Sequence, residues 1–359
     1  MFFLSSFVSS NYQKIKGTEG FWRVAQDQNN IWWFLTPENS PEFMTMVTSV
    51  NPESPSKEPN SLHYISTDKE NWPEKTASKI KKYGFKAAGA WSNRELSPYI
   101  SYTLDLNILK HLLIPIDSEE WSLAVDKKIK ELVEPLKNDK NLIGYYLDNE
   151  LDWNFYEPFA EKYFDTIYHS IKKYDPNHLV LGVRFNNRPP LKVLEACSGK
   201  TDVNSINIYP RDGKIWKNNC REMYEITGCP IIISEFSFYA DDNRSGNKND
   251  RFGPDVFPSK VKNQQTRGEM YQFFVEGLAS TSFIVGAEWF QYMDEPPLGR
   301  PDGENYNFGI VDIFDQPYQE LIDKIITTSN KVNKIHEKSD LKQLNKIWID
   351  DPQRINYAP

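Results

Sequence analysis

The chain has 359 residues, 39% of them hydrophobic and 26% charged, with a formal net charge of -8. That composition excludes a disordered or fibrous chain. The acidic balance lacks the clustered Lys and Arg that nucleic acid demands, and no apolar stretch approaches the roughly 20 residues that span a bilayer, so neither nucleic acid nor a membrane is an expected partner.

The chain opens with Met1 to Ser10, which has no positive n-region and makes a poor signal peptide; cytoplasmic and exported locations both stay open. Between Phe21 and Thr36 two aromatic-rich runs flank Asp27-Gln-Asn-Asn30, which has turn chemistry, and this predicts a β-hairpin. After it, short apolar runs alternate with amphipathic segments. The runs lie near Phe43 to Asn51, Phe85 to Trp91, Leu109 to Pro115, Leu142 to Glu150, Leu179 to Phe185, Val203 to Tyr209, Pro230 to Ser237 and Ser282 to Tyr292. Helices are expected between them, from Trp72 to Tyr83, Glu119 to Leu136, Pro158 to Tyr174, Leu191 to Ala196, Gly213 to Thr227 and Gln264 to Ala279, with a last one from Pro317 to His336.

This eightfold βα rhythm reads as an α/β fold, a single (β/α)8 TIM barrel. An open doubly wound sheet is the rival, but no G-x-G-x-x-G follows the first strand and no G-x-x-x-x-G-K-[ST] occurs. Residues 1–37 are assigned to an N-terminal segment holding the hairpin, 38–338 to the barrel, and 339–359 to a C-terminal extension packed on it. Long polar loops after the seventh and eighth strands, Asp241 to Asn263 and Tyr292 to Asn307, fall where barrels build their active sites.

Two apolar strands end in carboxylates: the fourth in Asp148-Asn149-Glu150 and the seventh in Ser234-Glu235. An ionised Glu closing an apolar strand is costly unless paired or functional. Strands four and seven stand across the barrel from each other, so their ends face over the mouth. That arrangement suits glycoside hydrolysis with retention, in which one carboxyl protonates the leaving oxygen and the other attacks the anomeric carbon. Glu150 is taken as the acid/base, with a pKa raised by burial and like charge, and Glu235 as the nucleophile. Asn149 is placed to bond the sugar 2-hydroxyl, Tyr209 to donate to Glu235, and Trp289 to floor the pocket.

Other candidates carry two readings. Aromatics make 14% of the chain, which suits rings stacked on sugars or an aromatic core. Trp91, Trp153 and Tyr239 are stacking platforms or core residues. Asn51 ends the first strand and is a candidate sugar contact. Glu288, Asp294, Arg300, Asp302, Glu304 and Asn305 contact sugar hydroxyls or organise their loop. Asp148 shares parity with Glu150 and is expected to pair with Arg184 inside the barrel. Cys197, Cys220 and Cys229 form no C-x-x-C, and the five histidines show no H-E-x-x-H, so no metal and no cofactor is expected.

The pattern resembles glycoside hydrolase clan A. More closely, Ile31-Trp-Trp-Phe-Leu-Thr-Pro37, Gly144-Tyr-Tyr-Leu-Asp-Asn-Glu-Leu-Asp-Trp153, Ser234-Glu-Phe-Ser-Phe-Tyr-Ala240 and Gly299-Arg-Pro-Asp-Gly-Glu-Asn-Tyr-Asn-Phe-Gly309 are similar to its β-agarase branch. The resemblance implies an acid/base after an Asn on strand four, matching Glu150, and a nucleophile ending strand seven, matching Glu235. It also implies a galactose-containing oligo- or polysaccharide as substrate. Another β-glycan, or a carbohydrate-binding barrel without turnover, remains the alternative on the residues alone. The oligomeric state is not written in the sequence.

Overall fold

A computed structural model of the chain describes residues 12–339, apart from 59–61, 67, 69, 113, 210–212 and 253–258; of 213–216 only the backbone is described. The expectations for Met1 to Ser10 and for the tail beyond Ser339 lie outside the described residues.

Four short strands come first: β1 (Tyr12–Lys16), β2 (Arg23–Asp27), β3 (Trp32–Leu35) and β4 (Pro41–Glu42) form an antiparallel sheet in chain order. The expected hairpin is β2 with β3. Its turn is held by Asp27, whose carboxylate accepts from the backbone N–H groups of Asn29 (2.8 Å) and Ile31 (3.0 Å). The sheet reaches the N-terminal ends of later strands. Trp32 N–H donates to Ser282 O (2.7 Å), Lys16 Nζ to Thr201 O (2.9 Å) and the Thr18 hydroxyl to Pro176 O (3.2 Å). It therefore covers one end of the barrel and leaves the other for chemistry.

The barrel strands are β5 (Met44–Val47), β6 (Ala87–Ala88), β7 (Ser101–Asp105), β8 (Leu142–Tyr146), a split fifth strand of β9 (Leu179–Val180) and β10 (Arg184–Phe185), β11 (Asn204–Asn207) and β12 (Ile231–Phe236). Two short pieces, β13 (Tyr239–Ala240) and β14 (Lys260–Val261), pair with each other in the following loop, and β15 (Ile284–Trp289) completes the set. All barrel pairings are parallel, in the order β10-β11-β12-β15-β5-β6-β7-β8-β9. The circuit closes because the β8 chain pairs with both halves of the fifth strand, Tyr145 with Val180 and Asn149 with Arg184. Gly182 makes the split possible. Its φ is +75°, and a Cβ there would stand 3.2 Å from Val203 O.

Around the sheet lie α1 (Trp72–Lys82), α2 (Ile108–His111), α3 (Trp121–Val133), α4 (Trp153–Tyr156), α5 (Ala160–Tyr174), α6 (Leu191–Cys197), α7 (Gly213–Thr227), α8 (Gln264–Ala279), α9 (Gln319–Ser329) and α10 (Val332–His336). Helix α5 shows why: Tyr163, Phe164, Ile167 and Ile171 bury one stripe against the sheet. The strands are covered on both faces, so β12 and β15 are buried along their whole length.

Two elements differ from expectation. The third barrel strand is Ser101–Asp105, not Leu109 to Pro115. Leu109 belongs instead to α2, because Asn107 takes a left-handed backbone (φ +48°) that ends the extended run. The Leu109 N–H then donates to Asp148 Oδ1 (3.0 Å). The more apolar segment was the wrong guide, since Leu109 and Leu112 pack against the core from outside the sheet. The last helix is broken into α9 and α10 at Asn330 and Lys331.

Candidate active site

At the C-terminal ends of the barrel strands opens a cavity of about 1260 Å³, the place where this architecture carries its sites. Glu150 and Glu235 both line it.

Glu150 arrives there by a break in alternation. Asp148 points outward, accepting from the Tyr163 hydroxyl of α5 at 2.7 Å. Asn149 points inward, its Oδ1 accepting from Arg184 Nη1 (2.8 Å) and Asn207 Nδ2 (3.1 Å). Regular alternation would send Glu150 outward again. Its left-handed backbone, φ +51°, turns it back, and its Oε1 accepts from Asn207 Nδ2 at 2.9 Å. This is why the expected Asp148–Arg184 pair does not form.

Arg184 pairs with Glu235 instead. Its Nη2 lies 3.0 Å from Glu235 Oε2 and donates also to Ser234 O (2.6 Å). Its guanidinium carbon lies over Trp91, 3.9 Å from the ring centroid, a cation–π contact in a desolvated setting. Burial opposes its charge, but Glu235, Glu288 and Asp105 hold it above its ordinary range.

Glu235 is only 7% exposed. Its Oε1 accepts from the Tyr209 hydroxyl at 2.6 Å, and its Oε2 from Asn207 Nδ2 at 3.4 Å. Burial pushes its carboxyl up to about 7; Glu150 and Glu304 push the same way, while Arg184 and Tyr209 favour the anion. The burial expected at Glu150 thus falls on Glu235, and Glu150 is exposed. Burial and the neighbouring Glu235 charge keep the Tyr209 hydroxyl protonated, as a donor must be.

Asn207 is the residue that sequence reasoning missed. Its Oδ1 accepts from Ser234 Oγ (2.8 Å), which turns Nδ2 toward both carboxylates. The signal was present in Asn207-Ile-Tyr209: a residue two before Tyr209 shares its face of the strand.

The other candidates divide. Asn51, Trp91, Arg300 and Glu304 line the cavity; Asn51 Nδ2 donates to Trp91 O (2.9 Å). Trp289 does not floor it. Glu288 takes the inward position on β15, accepting from Tyr146 Oη (2.5 Å) and Ala90 N–H (3.0 Å). Trp289 therefore points outward, fully buried against Phe236 and Tyr271, with Nε1 donating to Phe308 O (2.9 Å). Phe290 lines the cavity in its place. Glu288 itself lies below the cavity, inside the barrel. Trp153 stacks on Phe164 at 5.6 Å and Tyr239 packs edge-on to Tyr306 at 5.0 Å, both as core residues. Among the described residues no group of three or more His, Cys, Asp or Glu side chains is arranged to hold a metal ion.

No protein-family model matches the chain. Over 187 residues, 50% of its length, it is 37% identical to β-agarase A of Vibrio sp. (strain JT0107), and over 172 residues (46%) it is 36% identical to β-agarase B of the same strain. The matches span only 18% and 17% of those longer proteins. Among solved structures, an agarase superposes with TM-score 0.75 at 20% identity, covering 92% of this chain and 68% of that one. An exo-β-agarase gives TM-score 0.75 at 19% identity, covering 90% and 67%. At such identities the structures show a shared fold. The chain thus resembles glycoside hydrolase clan A and its β-agarase branch, in sequence over half its length and in barrel fold over nine-tenths of it.

Proposed function

We propose that the chain hydrolyses β-glycosidic bonds of an agar-type, galactose-containing oligo- or polysaccharide by double displacement, with Glu235 as nucleophile and Glu150 as acid/base. One observation carries this reading: a single amide nitrogen, Asn207 Nδ2, lies 2.9 Å from a Glu150 oxygen and 3.4 Å from a Glu235 oxygen. Those oxygens are no farther apart than about 6.3 Å, the two contacts laid end to end. That bound accommodates the roughly 5 to 5.5 Å carboxyl separation of retaining enzymes.

Each partner then has a role. Glu235, whose anion Arg184 and Tyr209 favour, attacks the anomeric carbon while Glu150 gives its proton to the departing glycosidic oxygen. Glu150, now ionised, takes a proton from water, whose oxygen attacks the same carbon and releases Glu235. Asn149, fixed by Arg184 and Asn207, offers its amide to a sugar hydroxyl near the reacting carbon. The cavity volume of about 1260 Å³ exceeds the roughly 300 to 1,000 Å³ of ordinary small-molecule pockets and fits an oligosaccharide.

The test is a comparison of the chain with its Glu235→Ala variant on agaro-oligosaccharides and on chromogenic β-glycosides. The expected result is hydrolysis of the former, lost in the variant with saccharide binding retained. Binding without turnover by the unaltered chain would overturn the reading in favour of a carbohydrate-binding barrel.

A further inference from the structure

We propose that Glu304, braced by Arg300 and Glu295, is a specificity-determining charge filter in the cavity wall that admits uncharged saccharide units and turns away anionic ones. The inference rests on the saccharide reading above and adds a property of the wall itself.

Three facts support it. First, carboxylates outnumber cations among the described lining residues, where the only Lys or Arg side chains are Lys110 and Arg300. Second, the guanidinium groups near the site are already engaged. Arg300 Nη2 lies 2.6 Å from both Glu304 Oε2 and Asp302 Oδ2, and Nη1 lies 3.4 Å from Glu295 Oε1. Arg184 is bound to Glu235, Asn149 and Ser234 O. A sulfate or carboxylate on a sugar is best held by a free Arg fork or Lys ammonium, and exposed Lys110 offers one ammonium.

Third, Glu304 is held rather than free. Glu295 is fully buried beside it; its Oε2 accepts from Tyr306 N–H at 2.6 Å, while its buried Oε1 receives no hydrogen bond. Burial drives the Glu295 carboxyl well above the usual range. Burial raises the Glu304 carboxyl too, but the Arg300 guanidinium 2.6 Å away and the hydrogen bond with Glu295 favour its anion at the cavity. Glu304 also raises the pKa of Glu235, and the Glu150 charge is felt at Glu304, so the three carboxylates lie within one field. An anionic sugar seated there meets like charge on several sides, a repulsive device of the kind that sets specificity. The bland role, a carboxylate that only ties Arg300 and Asp302 into a turn, predicts no effect on charge preference.

The experiment compares kcat/KM for a neutral agaro-oligosaccharide and a same-length oligosaccharide carrying sulfate esters, at low and high salt, for the unaltered chain, Glu304→Gln and Glu304→Asp. The unaltered chain is expected to favour the neutral substrate, and added salt to shrink that preference. Glu304→Gln should cut the preference by roughly tenfold, through KM for the sulfated substrate, and Glu304→Asp should restore most of it. Equal turnover of both substrates by the unaltered chain, a preference indifferent to salt, or a parallel loss on both substrates in Glu304→Gln would each overturn the filter while leaving the hydrolase reading intact. Turnover of neither saccharide would sink the hydrolase reading and the filter with it. The salt series on the unaltered chain decides the matter even should a variant fail to fold.

Discussion

Replacing Tyr209 with Phe removes one hydroxyl and nothing else from the surroundings of Glu235, the proposed nucleophile. In the structure that hydroxyl donates to Glu235 Oε1 at 2.6 Å, a short bond to a charged acceptor. Such bonds contribute about 1.5 to 3 kcal/mol, and each pKa unit corresponds to about 1.36 kcal/mol. The hydroxyl stabilises the carboxylate and so lowers the Glu235 pKa, which burial has raised to about 7. Its loss must raise that pKa further, by roughly one to two units. Labelling by an activated 2-deoxy-2-fluoro glycoside isolates the effect, because its leaving group needs no proton and the rate follows the ionised fraction of Glu235. The pH midpoint of labelling should move upward in Tyr209→Phe, with rates at pH 6 falling about 10- to 100-fold. A midpoint that stays put or moves to lower pH would refute the reasoning.

Other expectations follow from the same geometry. Asn207→Ala removes the amide shared by both carboxylates, so kcat/KM should fall by about 10² or more while thermal stability changes by only about 1 kcal/mol. Glu150→Ala should abolish hydrolysis of natural saccharides yet retain the first step on dinitrophenyl glycosides, seen as a burst of released phenolate, because a good leaving group dispenses with the acid. Trp289→Ala should destabilise the fold by about 3 to 5 kcal/mol in denaturant titrations, without weakening saccharide affinity of the folded fraction. Loss of affinity at constant stability would return Trp289 to the sugar site.

The barrel was legible because its signals are local and repeated: buried β-branched runs such as Ile231–Ile233 alternate with amphipathic helices such as α5. The third strand was not, because Ser101–Asp105 is less apolar than the leucine-rich segment after it, and what decides between them is pairing with β6 and β8. The site divides along similar lines. Glu150, Glu235 and Tyr209 follow from strand ends. Arg184's choice of Glu235 over Asp148 does not, because one left-handed residue at Glu150 overturns the parity that the argument relied on. Strict parity, by contrast, would have corrected Trp289, since Glu288 and Trp289 cannot both face the barrel axis.

The most direct test of the account is the anomer first released when a β-linked agaro-oligosaccharide is hydrolysed, followed by proton NMR before mutarotation mixes the products. Carboxyls that share the Asn207 amide, with the roles proposed for Glu150 and Glu235, predict the β anomer at the earliest time point. Initial appearance of the α anomer would contradict it.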